Sequence, residues 1–370
     1  MKILLCFGTR PEAIKMAPIY HELKNNGFNV KVCVTAQHRQ MLDQVLDFFE
    51  IVPEYDLDLM QPNQSLNELS SKILSNINSV LILEKPDLIL VHGDTTTSSM
   101  VALAGFHLGI KLGHIEAGLR TYNKHAPFPE EINRQITSRL VDVHFTPTMQ
   151  ATQNLLMERI TRDSIVETGN TVIDSLLWAI NKIESANYEN EEIERLKSII
   201  PVDKKLILVT GHRRENFGEG MKNLCNALLK ISERDDVTIL YTVHLNPNVQ
   251  NIVNELLSNK ENIKLFEPVS YPSFVWLMRQ SFLIVTDSGG IQEEAPSLGK
   301  PVVVTRTVSE RPEGITAGFS TLTGTNEVKI VNTIEGILNK FNGFGNVKNP
   351  YGNGDASKKI VDYLSKMEVE

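Results

Sequence analysis

The feature that most constrains this chain is a rhythm: short β-branched runs alternate with amphipathic segments, and the alternation is played through twice. In the first half, residues 2–7, 29–35, 87–92, 111–115 and 144–146 read as strands, and residues 14–24, 40–49 and 66–83 read as helices. Strands separated by helices require crossover connections, so they pair in parallel and are covered on both faces. A second series follows the polar stretch 184–195, with strands expected at 206–210, 237–243, 282–286 and 301–305. The expected fold class is α/β, with two Rossmann-like doubly wound parallel-sheet domains facing a central cleft. Length agrees, since 370 residues exceed what one core usually sustains. Thr168-Gly169-Asn170 closes a strand before a helix, which sets the expected domains at 1–169 and 170–370. The last helix, 356–367, is expected to pack back on the first domain.

Composition narrows the partners. Lys and Arg number 37 against 45 Asp and Glu, a net charge of -8, which disfavours nucleic acid because that binding rests on phosphate neutralisation. Cys6, Cys33 and Cys225 are odd in number and widely spaced, so they read as buried thiols of a reducing compartment rather than a disulfide framework. No apolar run reaches the roughly 20 residues needed to span a bilayer, and no leader precedes the first strand. A cytoplasmic protein without membrane contact is expected.

In open parallel sheets ligands bind outside the carboxyl ends of the strands, so the strand-end loops carry the chemistry. Gly8-Thr9-Arg10-Pro11-Glu12 follows the first strand, and Arg10 and Lys15 suit a phosphate at a helix start. An ordinary turn with surface cations is the plainer alternative. Asp287-Ser288-Gly289-Gly290 precedes Glu293 and Glu294, offering backbone N–H groups to a diphosphate and a carboxylate to ribose hydroxyls. The same acids read more plainly as helix-dipole partners. Neither GxGxxG after the first strand nor GxxxxGK[ST] occurs, so no redox dinucleotide or P-loop function is supported and no cofactor is expected.

His92 with Asp94, and His114 with Glu116, end two successive strands with the members of each pair two residues apart. A four-ligand metal site is the sharper alternative, but the spacing fits no established ligand pattern, and acid/base carboxylates explain these positions better. Glu130 and Glu131 open a helix through Leu140, where capping is their plainer role. Two charged loops, His212-Arg213-Arg214 and the run from Arg306 through Arg311 to Glu313, complete the inventory. It describes a two-domain α/β enzyme with cationic loops for a nucleotide diphosphate and at least three carboxylates.

Taken together, FGTRPEAIKMAP, TAQHRQMLDQ, VHGDTTT, GHIEAGLRT, PFPEEINRQ, HFTPT, TGHRRENFGEG, TDSGGIQEEAPSLGKPVVV and ERPEG resemble the non-hydrolysing UDP-N-acetylglucosamine 2-epimerases, a bacterial family of GT-B type fold. The resemblance runs nearly end to end. It implies interconversion of UDP-GlcNAc and UDP-ManNAc without metal or redox cofactor, by elimination of UDP to 2-acetamidoglucal and re-addition. It assigns UDP contacts to Arg10, Lys15, His212, Phe274, Ser288, Gly289, Gly290, Glu294 and Arg311. The catalytic set it implies is Asp94, Glu116 and Glu130, joined by His212. A second, activating UDP-GlcNAc near Gln37 and Gln40 and a homodimer also follow from the resemblance. Two positions depart from the family pattern: Thr307 stands where an acid is common, and Asn63 where a base is common. Rival readings are a 2-epimerase for a modified UDP-sugar, a hydrolysing epimerase, a GT-B glycosyltransferase and a non-catalytic nucleotide-sugar-binding protein.

Overall fold

The computed structural model describes residues 1–35, 39–59, 61, 64–211, 213 and 216–367, without the side chains of residues 39 and 40. Two compact units result, Met1–Leu177 with the C-terminal segment from Tyr351, and Trp178–Pro350. The first crossing lies inside the helix Thr171–Ile183, and the final helix, Ala356–Leu364, belongs to the first unit.

In the first unit the strands are β1 (Lys2–Phe7), β2 (Asn29–Val34), β3 (Tyr55–Asp56), β4 (Leu88–His92), β5 (Lys111–Ile115), β6 (Val143–Thr146) and β7 (Ile165–Glu167). They form one parallel sheet in the order β3-β2-β1-β4-β5-β6-β7. The second unit contains β8 (Lys205–Gly211), β9 (Val237–Val243), β10 (Ile263–Phe266), β11 (Leu283–Thr286), β12 (Val302–Val304) and β13 (Ser320–Leu322). Their parallel order is β10-β9-β8-β11-β12-β13. Both are doubly wound sheets. Strand order reverses between β1 and β4 in one and between β8 and β11 in the other, and such switch points are where open α/β sheets bind ligands.

The central strands are apolar because helices cover both their faces. Ile3, Leu4, Leu5, Cys6 and Phe7 of β1 are all essentially inaccessible. Ile73, Ile77 and Leu81 of the helix Leu66–Glu84 pack over Leu4 and Ile89 in one core. In the second unit Leu224 and Leu228 of the helix Glu219–Ser232 do the same over Ile207 and Ile239. Cys6 and Cys33 lie opposite each other across β1 and β2; they and Cys225 are buried, free thiols, and burial pushes Cys225 up to about 12. Among the described residues no helix is long and apolar enough to cross a membrane.

One helix begins earlier than its apolar periodicity implies. The expected helix 14–24 is in fact Arg10–Asn25, because Thr9 and Glu12 form a reciprocal capping box and Pro11 occupies the first turn. Arg10 therefore stands on this helix together with Lys15, rather than on a turn before it.

Candidate active site

At the switch point of the first unit, the loops after β1 and β4 are tied by one buried carboxylate. Glu12 is 2% exposed. It accepts from the N–H groups of Gly8 (3.0 Å) and Thr9 (2.9 Å), from the Thr9 hydroxyl (2.9 Å), and from Thr95 Oγ1 (2.7 Å) in the loop after β4. Burial nevertheless dominates and pushes its carboxyl up to about 7, against those hydrogen bonds. Glu12 thus organises the turn that leads into the helix carrying the half-buried Arg10 and the buried Lys15.

β4 and β5 are neighbours in register, His92 opposite Ile115, so the residues after them emerge side by side. Glu116 follows β5 with φ 61°, a left-handed conformation costing a side-chain-bearing residue about 1–2 kcal/mol. Its carboxylate forms a buried ion pair with Lys15 and accepts from Asn170 Nδ2 at 2.9 Å. His92 Nε2 lies 3.9 Å away, and burial lowers this imidazole to about 4, so it is neutral at physiological pH. A side chain at Gly93 would touch Glu116 Oε1 at 3.9 Å, which places this carboxylate beside the residue preceding Asp94.

Asp94 pairs with Arg134, and its carbonyl accepts from Asn133 Nδ2 at 2.9 Å. Two consecutive residues of the helix Glu130–Leu140 therefore hold the β4 loop. Glu130 stands one turn before Arg134, on the same helix face. Its Oε2 is buried without a hydrogen-bond partner among the described residues. The adjacent acid is used differently, for Glu131 is inaccessible and accepts from the N–H groups of Thr121 (2.9 Å) and Tyr122 (3.1 Å) and from Gln135 (2.8 Å). The two acids are thus separated into a loop anchor and a carboxyl with one buried oxygen unpartnered among the described residues. His114 also parts from its sequence partner, since its Nε2 lies 2.7 Å from the carbonyl of Gly93 and burial lowers it to about 3. The disfavoured alternative of a four-ligand set at His92, Asp94, His114 and Glu116 finds no support, for among the described residues no three His, Cys, Asp or Glu side chains group as metal ligands.

The switch point of the second unit is built around Asp287, at the end of β11 and 1% exposed. Its Oδ2 accepts from Arg213 N–H (3.0 Å) and Asn216 Nδ2 (3.2 Å), which fixes the loop after β8. Of the expected backbone donors, the N–H of Ser288 is taken by Thr286 Oγ1 at 3.0 Å. Gly289 and Gly290 open the short helix Gly289–Glu294. Arg311 lies over Gly289, where an added Cβ would meet the guanidinium at 3.7 Å, and it is ion-paired with the buried Glu293. Glu294 turns its carboxylate toward Gly290 instead. Ser309, hydrogen-bonded to Gln292 at 2.6 Å, receives the Arg311 N–H at 3.0 Å and positions this arginine. Phe274 is half-buried in the helix Tyr271–Gln280, and Thr307 is exposed. His212, Gln37 and Asn63 lie outside the described residues, as does the side chain of Gln40.

Sequence reasoning assigns no role to Arg134 or Asn170. Arg134 belongs to the PFPEEINRQ motif, where its spacing of four from Glu130 is the available signal; Asn170 reads in the sequence only as punctuation between strand and helix.

The model of a family described as UDP-N-acetylglucosamine 2-epimerase matches residues 21–365. The chain is 50% identical over 374 residues to the UDP-N-acetylglucosamine 2-epimerase of Escherichia coli K12, covering all of both chains. It resembles the crystal structure of the Neisseria meningitidis UDP-GlcNAc 2-epimerase bound to UDP-GlcNAc, with a TM-score of 0.92, 48% identity, and 99% and 100% of the two chains covered. The Methanocaldococcus jannaschii UDP-GlcNAc 2-epimerase in complex with UDP-GlcNAc and UDP is similar at 34% identity and a TM-score of 0.84, over 99% of this chain and 100% of that one. With two doubly wound parallel sheets and full-length likeness at this level, the chain belongs to the UDP-N-acetylglucosamine 2-epimerase family.

Proposed function

We propose that this enzyme interconverts UDP-GlcNAc and UDP-ManNAc without hydrolysis, eliminating UDP across C1–C2 to give 2-acetamidoglucal and adding it back with the C2 proton on the other face. The observation that carries the reading is the gathering of Asp94, Glu116 and Glu130 at the carboxyl end of one sheet, each in a different setting. The chemistry requires such a set. The C2 hydrogen of a nucleotide sugar has no adjacent carbonyl to acidify it, so the bond to UDP must break before or with its removal.

Asp94 and Glu130 exchange the C2 proton on the two faces. Asp94 is oriented by Arg134, and Glu130 retains a buried oxygen for the substrate. Glu116, ion-paired with Lys15, stabilises positive charge developing near the anomeric carbon. Arg10, Lys15, His212 and Arg311 serve the departing diphosphate, whose charge builds as the C1–O bond breaks. Ser288, Gly289, Gly290 and Glu294 hold UDP, and Phe274 stacks on uracil. Gln37 and Gln40 take an activating second substrate. No resident cofactor enters this scheme.

The enzyme acts in the cytoplasm, and its product serves as a precursor for cell-surface polysaccharide. The enzyme works as a homodimer, a reading supported by exposed Ile82 (54%), Leu83 (71%) and Phe106 (56%) on the helices Leu66–Glu84 and Thr96–His107.

The deciding experiment is incubation with UDP-GlcNAc in heavy water, followed by NMR. Appearance of UDP-ManNAc with one deuterium at C2 is expected. Free ManNAc would establish a hydrolase instead, and inversion without deuterium would exclude proton exchange through carboxyl groups.

A further inference from the structure

The segment that follows β7 reaches the carboxylate at the end of β5 through one side chain. Asn170 is 2% exposed, and its side-chain amide, its N–H and its carbonyl, which accepts from the N–H of Ile173 at 3.1 Å, are all committed. Its Nδ2 donates to Glu116 Oε2 at 2.9 Å, its Oδ1 accepts from the N–H of Val172 at 3.0 Å, and its own N–H donates to the carbonyl of Tyr351 at 2.7 Å. The neighbouring Gly169, at φ 92°, would bring a Cβ within 3.3 Å of that same carbonyl and 3.5 Å of Gly352. The two backbones approach so closely that the amide has little freedom to move. Nearby, Asp174 accepts from the N–H groups of Ala356 and Ser357 at 3.3 and 2.8 Å, securing the returning chain.

We infer that Asn170 is a positioning residue for the reaction, an amide that holds Glu116 in its left-handed, Lys15-paired placement and ties it to the segment at Tyr351. The inference rests on the catalytic reading of Glu116. Among the described residues, the charged and titratable groups facing that carboxylate include Lys15 from the helix Arg10–Asn25 and His92 from β4, the latter neutral at physiological pH. Lys15 supplies charge. The neutral amide meets the same oxygen as Lys15, Oε2, and adds a hydrogen bond there without altering the charge. A second carboxylate in its place would repel Glu116 when ionised and donate to it only when protonated.

The test is kcat and KM for UDP-GlcNAc from about pH 5.5 to 8.5, measured on the wild type, Asn170→Ala, Asn170→Asp and Glu116→Gln. Asn170→Ala is expected to lower kcat by about 10- to 100-fold while KM stays within about threefold, since misplacement of a reacting group falls on the chemical step. Asn170→Asp is expected to recover toward acid pH, regaining at least about tenfold in relative kcat across the range. Asn170→Ala within twofold of wild type, beside an inactive Glu116→Gln, overturns the inference alone. So does an Asn170→Asp profile parallel to that of the wild type, which is the behaviour of a merely structural residue, and this arm decides the matter should the alanine variant fail to fold. Glu116→Gln at wild-type turnover overturns the catalytic reading of Glu116 and the inference with it.

Discussion

Arg134 and Asp94 form an ion pair of unequal burial: the arginine side chain is 6% exposed and the carboxylate 22%. The guanidinium is buried while the acid remains partly open, as the role proposed for Asp94 toward substrate requires. Arg134→Gln should therefore cost more in activity than in stability. We expect kcat to fall about 100-fold, from misplacement of Asp94, with an unfolding free energy lower by about 1–3 kcal/mol. Steady-state kinetics alongside urea unfolding will separate the two; a variant kcat equal to that of the wild type would remove Asp94 orientation from the mechanism.

Glu130 and Glu131 are adjacent in sequence and opposite in consequence. Glu130→Gln should fold normally and lose about 100- to 1,000-fold in turnover, within the range that general acid–base groups contribute. Glu131→Ala removes the acceptor for two loop N–H groups and a glutamine, so a loss of about 2–3 kcal/mol is expected. Thermal melts of the two variants should differ accordingly, and a Glu130→Gln protein that melts early while turning over normally would reverse the assignment.

Glu12 gives stability an unusual pH dependence. Its folded carboxyl titrates near 7, above the ordinary 4.5, so the native state binds a proton that the unfolded state has released. This contribution is complete below about pH 4.5 and is lost as pH rises toward 7, amounting to about 3 kcal/mol. Comparison of wild type with Glu12→Gln by urea unfolding across this window should show the wild type losing its relative advantage as pH rises. A constant difference would mean that Glu12 is ionised in the folded protein throughout.

His92 acts in the opposite sense. Its folded imidazole is lowered to about 4, so on acidification the unfolded chain takes up a proton that the native state refuses. Stability should fall from about pH 6.5 toward pH 4 at close to 1.4 kcal/mol per unit for this one group. His92→Asn should show that much less acid sensitivity, and an unchanged slope would place the proton elsewhere.

The central strands are legible in the sequence because their physics is local. β1, β5 and β9 are expected at the bounds observed, since a strand buried on both faces reads as a largely apolar or β-branched run. The edge strands Tyr55–Asp56, Ile263–Phe266 and Ser320–Leu322 escape because each is short and pairs on one side only, leaving little compositional trace. At the site, the carboxylates and cations can be picked from strand-end position and chemical type. Their partners cannot: Asn170 meets Glu116 across 54 residues, and Asn133 meets the carbonyl of Asp94 across 39. Such pairings are created by tertiary register, and no spacing rule within a helix or strand announces them. The division between Glu293, which holds Arg311, and Glu294, which turns to Gly290, is likewise settled by the fold.

The shared carboxylate of Glu12 makes two loops into one inheritable part. Because three of its donors come from the loop after β1 and the fourth is Thr95 after β4, a change of sequence in either loop is felt by the other. A designer who exchanged the Gly8–Glu12 segment for that of a distant relative would need to bring Thr95 along with it. Loss of the hydroxyl at either Thr9 or Thr95 takes one donor from Glu12, so a change on one side of this carboxylate loosens the hold on the other.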